Sequence, residues 1–161
     1  MYRLLYLLPV FVLAACVNPP DFPEEPVITF EALSKSQIYQ FTNGPVDSLL
    51  IHFSFTDGDG DLSNQGDSID IFLTDSRLGI QTPFSFPEIP SEGTGNGISG
   101  DIFITVVNTT GICCIFRNRL CAADPSFPVD TFSYEIQIQD RAGNLSNKIR
   151  TSPIEILCLG Q

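Results

Sequence analysis

The sequence predicts an all-β fold, an antiparallel β-sandwich of about seven strands. Most of the chain after residue 26 consists of short segments in which apolar and polar residues alternate, which is the pattern of strands that bury one face. Turns rich in glycine, proline, asparagine and aspartate separate these segments. No stretch combines a helical period with helix caps, which agrees with an all-β fold.

The alternation is clearest near the C-terminus, where Phe132, Tyr134, Ile136 and Ile138 alternate with polar residues. In the last segment, Pro153 predicts an edge strand or a bulge, because proline cannot donate to a sheet ladder. The predicted strands are A (27–33, with a second piece at 37–41), B (48–55), C (69–74), D (around 79–86), E (98–107), F (131–139) and G (147–157). Their number and spacing predict an immunoglobulin-like sandwich.

The N-terminus carries the pattern of an export signal. One arginine precedes an uncharged run over residues 4–15, and these twelve residues are fewer than the ~20 that a membrane-spanning helix needs. The ending Leu-Ala-Ala-Cys at 13–16 resembles the lipobox of bacterial lipoproteins. The resemblance implies a signal peptide over residues 1–15 and a covalent diacylglycerol on Cys16. The alternative is an ordinary signal peptide followed by a chance cysteine.

The rest of the chain divides into a linker and one domain. Four of the ten residues from 17 to 26 are proline, so residues 16–26 are expected to form the lipidated cysteine and an extended tether outside the fold. Residues 27–161 are enough for one β-sandwich domain with a hydrophobic core.

The mature chain is strongly acidic. Without Arg3, acidic residues outnumber basic ones by 19 to 7, which gives a formal charge of -12. This balance argues against nucleic acid as a partner, because phosphates are bound through lysine and arginine. It favours cations, calcium first, or basic partners, although solubility alone would also explain it.

The loop after strand B concentrates carboxylates. Asp57, Asp59 and Asp61 alternate with glycines, a spacing that suits a hard cation with six to eight oxygen ligands. In an immunoglobulin-type sandwich the B–C and F–G loops share one end, which brings Asp140 and Asn144 to the same place. Carboxylates gathered there repel one another unless a cation or hydrogen bonds offset them. We therefore expect these five residues to hold a structural calcium ion; the alternative is that they form ordinary acidic turns.

Cysteine usage agrees with export. Apart from Cys16, the chain has Cys113, Cys114, Cys121 and Cys158, an even number that predicts two disulfides. Adjacent residues of a strand face opposite sides, so the two neighbours are expected to have different partners. The preferred pairing is Cys114–Cys121 with Cys113–Cys158, and the alternative is Cys114–Cys158 with Cys113–Cys121. A zinc site is less favoured, because there is no C-x-x-C unit.

Catalysis is not expected. The only histidine, His52, falls on the less apolar face of strand B, where a structural role is favoured. The chain has no G-x-S-x-G elbow, and nothing singles out a catalytic acid and base. Arg117 and Arg119 would form either a basic contact surface beside Phe116 or a solvated loop, and the solvated loop is favoured.

The lipobox, the acidic loop and residues 140–146 together resemble small lipoproteins of the Bacteroidota. Residues 140–146 are similar to the D-x-A-G-N-x-S turn of bacterial immunoglobulin-like domains. The resemblance implies an exported, lipid-anchored β-sandwich. Val17 differs from the aspartate that retains some lipoproteins in the inner membrane, so we expect the outer membrane, on its periplasmic or cell-surface side. We expect a non-enzymatic binding or structural accessory module with a protein or glycan partner. The alternative is a lipoprotein that captures glycans or peptides for an outer-membrane uptake system, and a hydrolase ranks third.

Overall fold

The computed structural model describes most of the chain after residue 20. The described residues are 21–40, 45–63, 69–87, 89, 97–110, 112–124 and 126–158. The predicted signal peptide, Cys16, the first part of the linker and the last residue of the second piece of strand A lie outside them. Within these stretches, no helix has the length and apolar character needed to cross a membrane.

The described residues form an all-β structure with one short 3₁₀ helix at Asn108–Thr110. The strands are β1 (Val27–Leu33), β2 (Gln37–Tyr39), β3 (Ser48–Asp57), β4 (Ile71–Asp75), β5 (Gln81–Phe84), β6 (Ile98–Val107), β7 (Ile115–Phe116), β8 (Arg119–Leu120), β9 (Val129–Phe132), β10 (Tyr134–Ile138), β11 (Ile149–Arg150) and β12 (Ile154–Leu157). The all-β prediction is confirmed. Strand A has two pieces, as predicted, whereas predicted strands F and G are each divided in two, and β7 and β8 form a hairpin that the sequence did not predict.

Three larger sheets share one core. The first has the order β1-β3-β6 and the second the order β11-β10-β4-β5, and all their pairings are antiparallel. In the third, β12 lies between β2, which runs parallel to it, and β9, which runs antiparallel. Buried apolar side chains from all three sheets form a single cluster, so the sheets enclose one hydrophobic core.

Predicted strands F and G are interrupted where a side chain takes the place of a main-chain partner. The amide of Tyr134 donates to Oγ1 of Thr151 over 3.0 Å, and the amide of Thr151 donates back to the carbonyl of Tyr134 over 2.9 Å. Pro153, which has no N–H, lies in the same interruption. The two predicted strands therefore stay paired on both sides of a local irregularity, which explains why each is assigned as two short strands.

The described end of the linker, residues 21–26, packs against the domain, whereas the sequence predicts a tether outside the fold. The amide of Gly58 donates to the carbonyl of Pro23 over 2.7 Å, and Pro26 is buried. A Cβ at position 58 would lie 2.3 Å from the carbonyl oxygen of Phe22, so only glycine permits this approach. The linker thus meets the domain just beyond the end of β3.

The four cysteines form two disulfides, Cys113–Cys121 and Cys114–Cys158. The preferred pairing from the sequence is therefore wrong and the alternative pairing is confirmed. Cys114 is 1% exposed and belongs to the core cluster beside β12, which places it against Cys158. Cys113 faces the other way, toward the β7–β8 hairpin and Cys121. With all four thiols in disulfides, none is left for zinc.

The two disulfides are expected to contribute unequally to stability. In the chain-entropy account, the Cys114–Cys158 bond, with a sequence separation of 44, contributes about 4 kcal/mol, and the Cys113–Cys121 bond, with a separation of 8, about 2.5 kcal/mol. Urea unfolding of the variants Cys114→Ala/Cys158→Ala and Cys113→Ala/Cys121→Ala would measure this difference. A larger loss of unfolding free energy in the second variant would contradict the expectation.

Candidate metal centre

The candidate site begins with the alternation of strand β3. Its buried positions are Leu49, Ile51, Phe53, Phe55 and, at the same period of two, Asp57. Asp57 is 0% exposed, so the face of the strand that supplies four apolar side chains to the core ends in a carboxylate. A buried charge of this kind costs free energy unless a partner compensates it.

Three carboxylates converge at this point. Asp57, Asp59 and Asp61 each place a carboxylate oxygen within 4.8 Å of the others. The loop turns sharply between them, with Gly60 at a φ of 69°. Oδ1 of each of the three aspartates is shielded from solvent and has no hydrogen-bond partner. Three converging acidic side chains therefore each keep one oxygen that is shielded from solvent and has no hydrogen-bond partner.

Hydrogen bonds fix the orientation of the Asp57 carboxylate. Its Oδ2 accepts from the amide of Asp61 over 2.9 Å and from the amide of Leu62 over 3.3 Å. Leu62 is itself 0% exposed, so the base of the loop is packed into the core. These bonds satisfy one oxygen of Asp57 and leave Oδ1 available for a different partner.

The environment favours protons or cations at these carboxylates. Burial, followed by repulsion from Asp59, raises the pKa of Asp57 to about 6 from its ordinary 3.8, although the two amide bonds act in the opposite direction. Burial also raises the pKa of Asp61, and the charges of Asp140 and Asp59 add to this effect. Both shifts mean that folding disfavours the ionised form of these carboxyl groups, chiefly because they are buried and partly because they lie close to one another.

The loop between β10 and β11 lies against the acidic loop, as the sequence predicts from the sandwich fold. The amide of Arg141 donates to the carbonyl of Asp61 over 3.3 Å, and the amide of Ala142 donates to Oδ2 of Asp61 over 3.1 Å. The guanidinium of Arg141 donates through Nε to the carbonyl of Ser63 over 2.7 Å. Main-chain and side-chain bonds thus join the two loops into one end of the domain.

Asp140 and Asn144, which the sequence places in the same site, bond to each other. Oδ1 of Asp140 accepts from the amide of Asn144 over 2.7 Å, and Oδ2 accepts from its side-chain Nδ2 over 2.8 Å. These two bonds close the turn in which both residues lie. The charge of Asp140 acts on the site by raising the pKa of Asp61. The group of converging carboxylates in the described chain consists of the three loop aspartates.

The arrangement suits a hard divalent cation. Calcium takes oxygen ligands in flexible geometries and accepts carboxylates, main-chain carbonyls and water together. Asp57, Asp59 and Asp61 would hold the ion, whose two positive charges would offset most of their combined charge. The sequence motif identified these three aspartates. No sequence signal indicated that residues 21–26 would close over Gly58.

The other candidate residues lie elsewhere. His52 is on the outer face of the first sheet, where its Nε2 lies 2.7 Å from Oδ1 of Asp101 and its ring stacks on Phe103 at 4.3 Å between centroids. Ser54, two residues further on the same face, donates its hydroxyl to Glu31. These contacts are consistent with a structural role for the histidine.

In calcium-free buffer, acid is expected to stabilise the protein through Asp57. Because its pKa is about 6 in the folded chain and 3.8 ordinarily, the folded state binds the proton first as the pH falls. The stabilisation from protonated Asp57 is complete below its ordinary pKa of 3.8 and is lost as the pH rises through 6. The melting temperature should therefore rise between pH 7 and pH 5, and Asp57→Asn should remove most of this rise. Equal pH slopes for the wild type and the variant would contradict the assignment.

Comparison with known proteins gives no match for the chain. No family model, no curated protein and no solved structure matches it. The resemblance to lipoproteins of the Bacteroidota therefore stays a prediction from the sequence, and the interpretation of the site depends on the chain's own geometry.

Proposed function

We propose that the protein is an exported, lipid-anchored and non-enzymatic lipoprotein of the outer membrane. Its domain acts as a binding or structural accessory module of immunoglobulin-like type, stabilised by calcium at the acidic loop. The observation that carries the proposal is the group of three unbonded, solvent-shielded oxygens on Asp57, Asp59 and Asp61. Such a group is unfavourable without a cation or protons and favourable with either.

The strand pairing supports an immunoglobulin-like arrangement. The sheet β1-β3-β6 corresponds to the predicted strands A, B and E, and β10 and β11 pair as F and G beside β4, which is C. The first predicted strand divides, so that β1 joins the first sheet and β2 joins β12 of strand G. β5 falls within predicted strand D but pairs with β4, the predicted strand C, at the edge of the second sheet, which departs from the immunoglobulin scheme.

The position of the linker supports a structural role for the cation. The chain that leads from Cys16 reaches the domain at Phe22 and Pro23, which lie over Gly58, between two of the three aspartates. An ion held there would make the acidic loop more rigid where it contacts the segment that joins the domain to its anchor. Exported calcium-binding modules work with dissociation constants of about 10⁻⁴–10⁻³ M, so moderate affinity is sufficient.

Calcium is expected to raise the melting temperature at pH 7. With calcium in about 100-fold excess over the dissociation constant, linkage gives about 2.7 kcal/mol of added stability. Asp59→Asn should abolish most of this gain, because it removes one ligand charge without adding volume. Asp101→Asn is the matched control on the outer face of the first sheet and should keep the gain. Identical melting curves of the wild type in calcium and in EGTA would contradict the calcium site.

The lipid anchor is tested separately at Cys16. The wild-type chain expressed in a Gram-negative host should partition into the membrane fraction and incorporate labelled palmitate. Cys16→Ser should lose the label and lose the anchor, because the thiol that receives the diacylglycerol is absent. Equal incorporation of labelled palmitate by the wild type and by Cys16→Ser would contradict the lipobox assignment.

A further inference from the structure

The end of the domain opposite the acidic loop carries a projecting hairpin. We call the segment from Cys113 to Cys121 the prong; it contains β7, β8 and a two-residue turn, and the Cys113–Cys121 disulfide closes its base. Strand β6 leads there, because its start pairs with Asp57 and its end pairs with Ser48. The prong therefore lies away from the segment that leads to the anchor.

The turn of the prong has an unusual main-chain conformation. Arg117 and Asn118 have φ values of 50° and 62°, and Cys121 has 56°; these are three of the four non-glycine residues with positive φ among the described residues. Two consecutive positive values define a type I′ turn, in which asparagine and glycine are favoured. Asn118 suits this conformation, whereas arginine adopts it rarely, so Arg117 is held in it by the hairpin.

The base of the prong is held rigidly. Arg77 donates to the carbonyl of Cys113 over 3.1 Å and to Asp130 over 2.6 Å, while Asp130 also accepts from the amide of Ile115 over 2.9 Å. Asp75 pairs with the same guanidinium, which lies over the ring of Phe132. A hairpin fixed in this way binds a partner with little loss of conformational entropy.

The prong presents positive charge on an acidic protein. Arg117 and Arg119 are exposed, and neither forms an ion pair with a described residue; Arg117 lies over the ring of Phe116. Most other basic side chains are engaged: Lys35, Arg77 and Lys148 in ion pairs, and Arg141 with main-chain carbonyls. The two arginines are therefore available to carboxylates of another molecule.

An apolar cavity adjoins the prong. Its volume is about 310 Å³, at the lower end of the range of small-ligand sites. Leu120 of the prong, Leu78 and Ile80 are among its lining residues, with exposed fractions of 57%, 42% and 54%, and Asp75 and Arg77 also line it. A cavity of this size and lining accepts one aliphatic or aromatic side chain.

We propose that the prong and this cavity bind an extended acidic segment of a partner protein that carries one apolar side chain. The carboxylates of the segment pair with Arg117 and Arg119, and its apolar side chain enters the cavity between Leu120 and Ile80. Charge complementarity with the two unpaired arginines favours an acidic occupant. The inference goes beyond the proposed function and does not depend on the cation site.

Fluorescence anisotropy of the purified protein with the labelled peptide Glu-Glu-Asp-Leu-Glu-Asp-Glu tests the proposal. Saturable binding is expected, with equal affinity in calcium and in EGTA. The double variant Arg117→Ser/Arg119→Ser should weaken it about tenfold, because two charge pairs are lost. Arg150→Ser is the matched control, since it removes an exposed arginine beyond the prong, and it should change the affinity less than twofold.

Two control peptides and a vesicle assay complete the test. A peptide with serine in place of leucine and one with glutamine in place of every acidic residue should both bind at least tenfold more weakly. Each variant is first shown by circular dichroism and melting to be folded. Absence of saturable binding, equal binding of all three peptides, or equal effects of the prong and control variants would overturn the proposal. Binding of the protein to phosphatidylglycerol vesicles without binding to the acidic peptide would also overturn the proposal.

Discussion

The burial of the Asp57 carboxylate is the constraint on which the acidic end of the domain depends. Strand β3 buries every second side chain, and this period continues past Phe55 to place a carboxylate where the next core residue would lie. Two amides stabilise one of its oxygens, and the pKa near 6 shows that they do not offset the whole cost. A cation would complete the compensation without disturbing the core.

This constraint organises the surrounding segments. The loop must curl to bring Asp59 and Asp61 beside Asp57, and the glycines between them make the curl possible. Gly58 then leaves room for Phe22 and Pro23, so the linker from the predicted anchor ends on the acidic loop. The opposite end depends on different forces, since disulfides and the Arg77 ion pairs hold the prong there. The two ends are therefore chemically distinct, one acidic and in contact with Phe22 and Pro23, the other basic at its tip.

The sequence was sufficient for the longer strands and for the three aspartates. Alternation locates β1, β3 and β6 almost to the residue, because each buries one face against the core. The sequence did not determine which cysteines are paired. Both possible partners of Cys113 and Cys114 lie at the same end of the domain, and the pairing depends on which thiol faces the core. The β7–β8 hairpin was missed because its strands have two residues each, too few for a period to be visible. The mutual bonds of Asp140 and Asn144 follow from turn geometry that spacing does not reveal.

A crystal structure of the protein grown at pH 7 with calcium would show whether the three aspartates bind the ion. We expect an anomalous-scattering peak 2.3–2.6 Å from oxygens of Asp57, Asp59 and Asp61, the distance range of calcium–oxygen bonds. We also expect the peak to disappear in Asp59→Asn. A well-ordered acidic loop in calcium with no such peak, and with Oδ1 of Asp57 bonded only to protein or water, would contradict the calcium site.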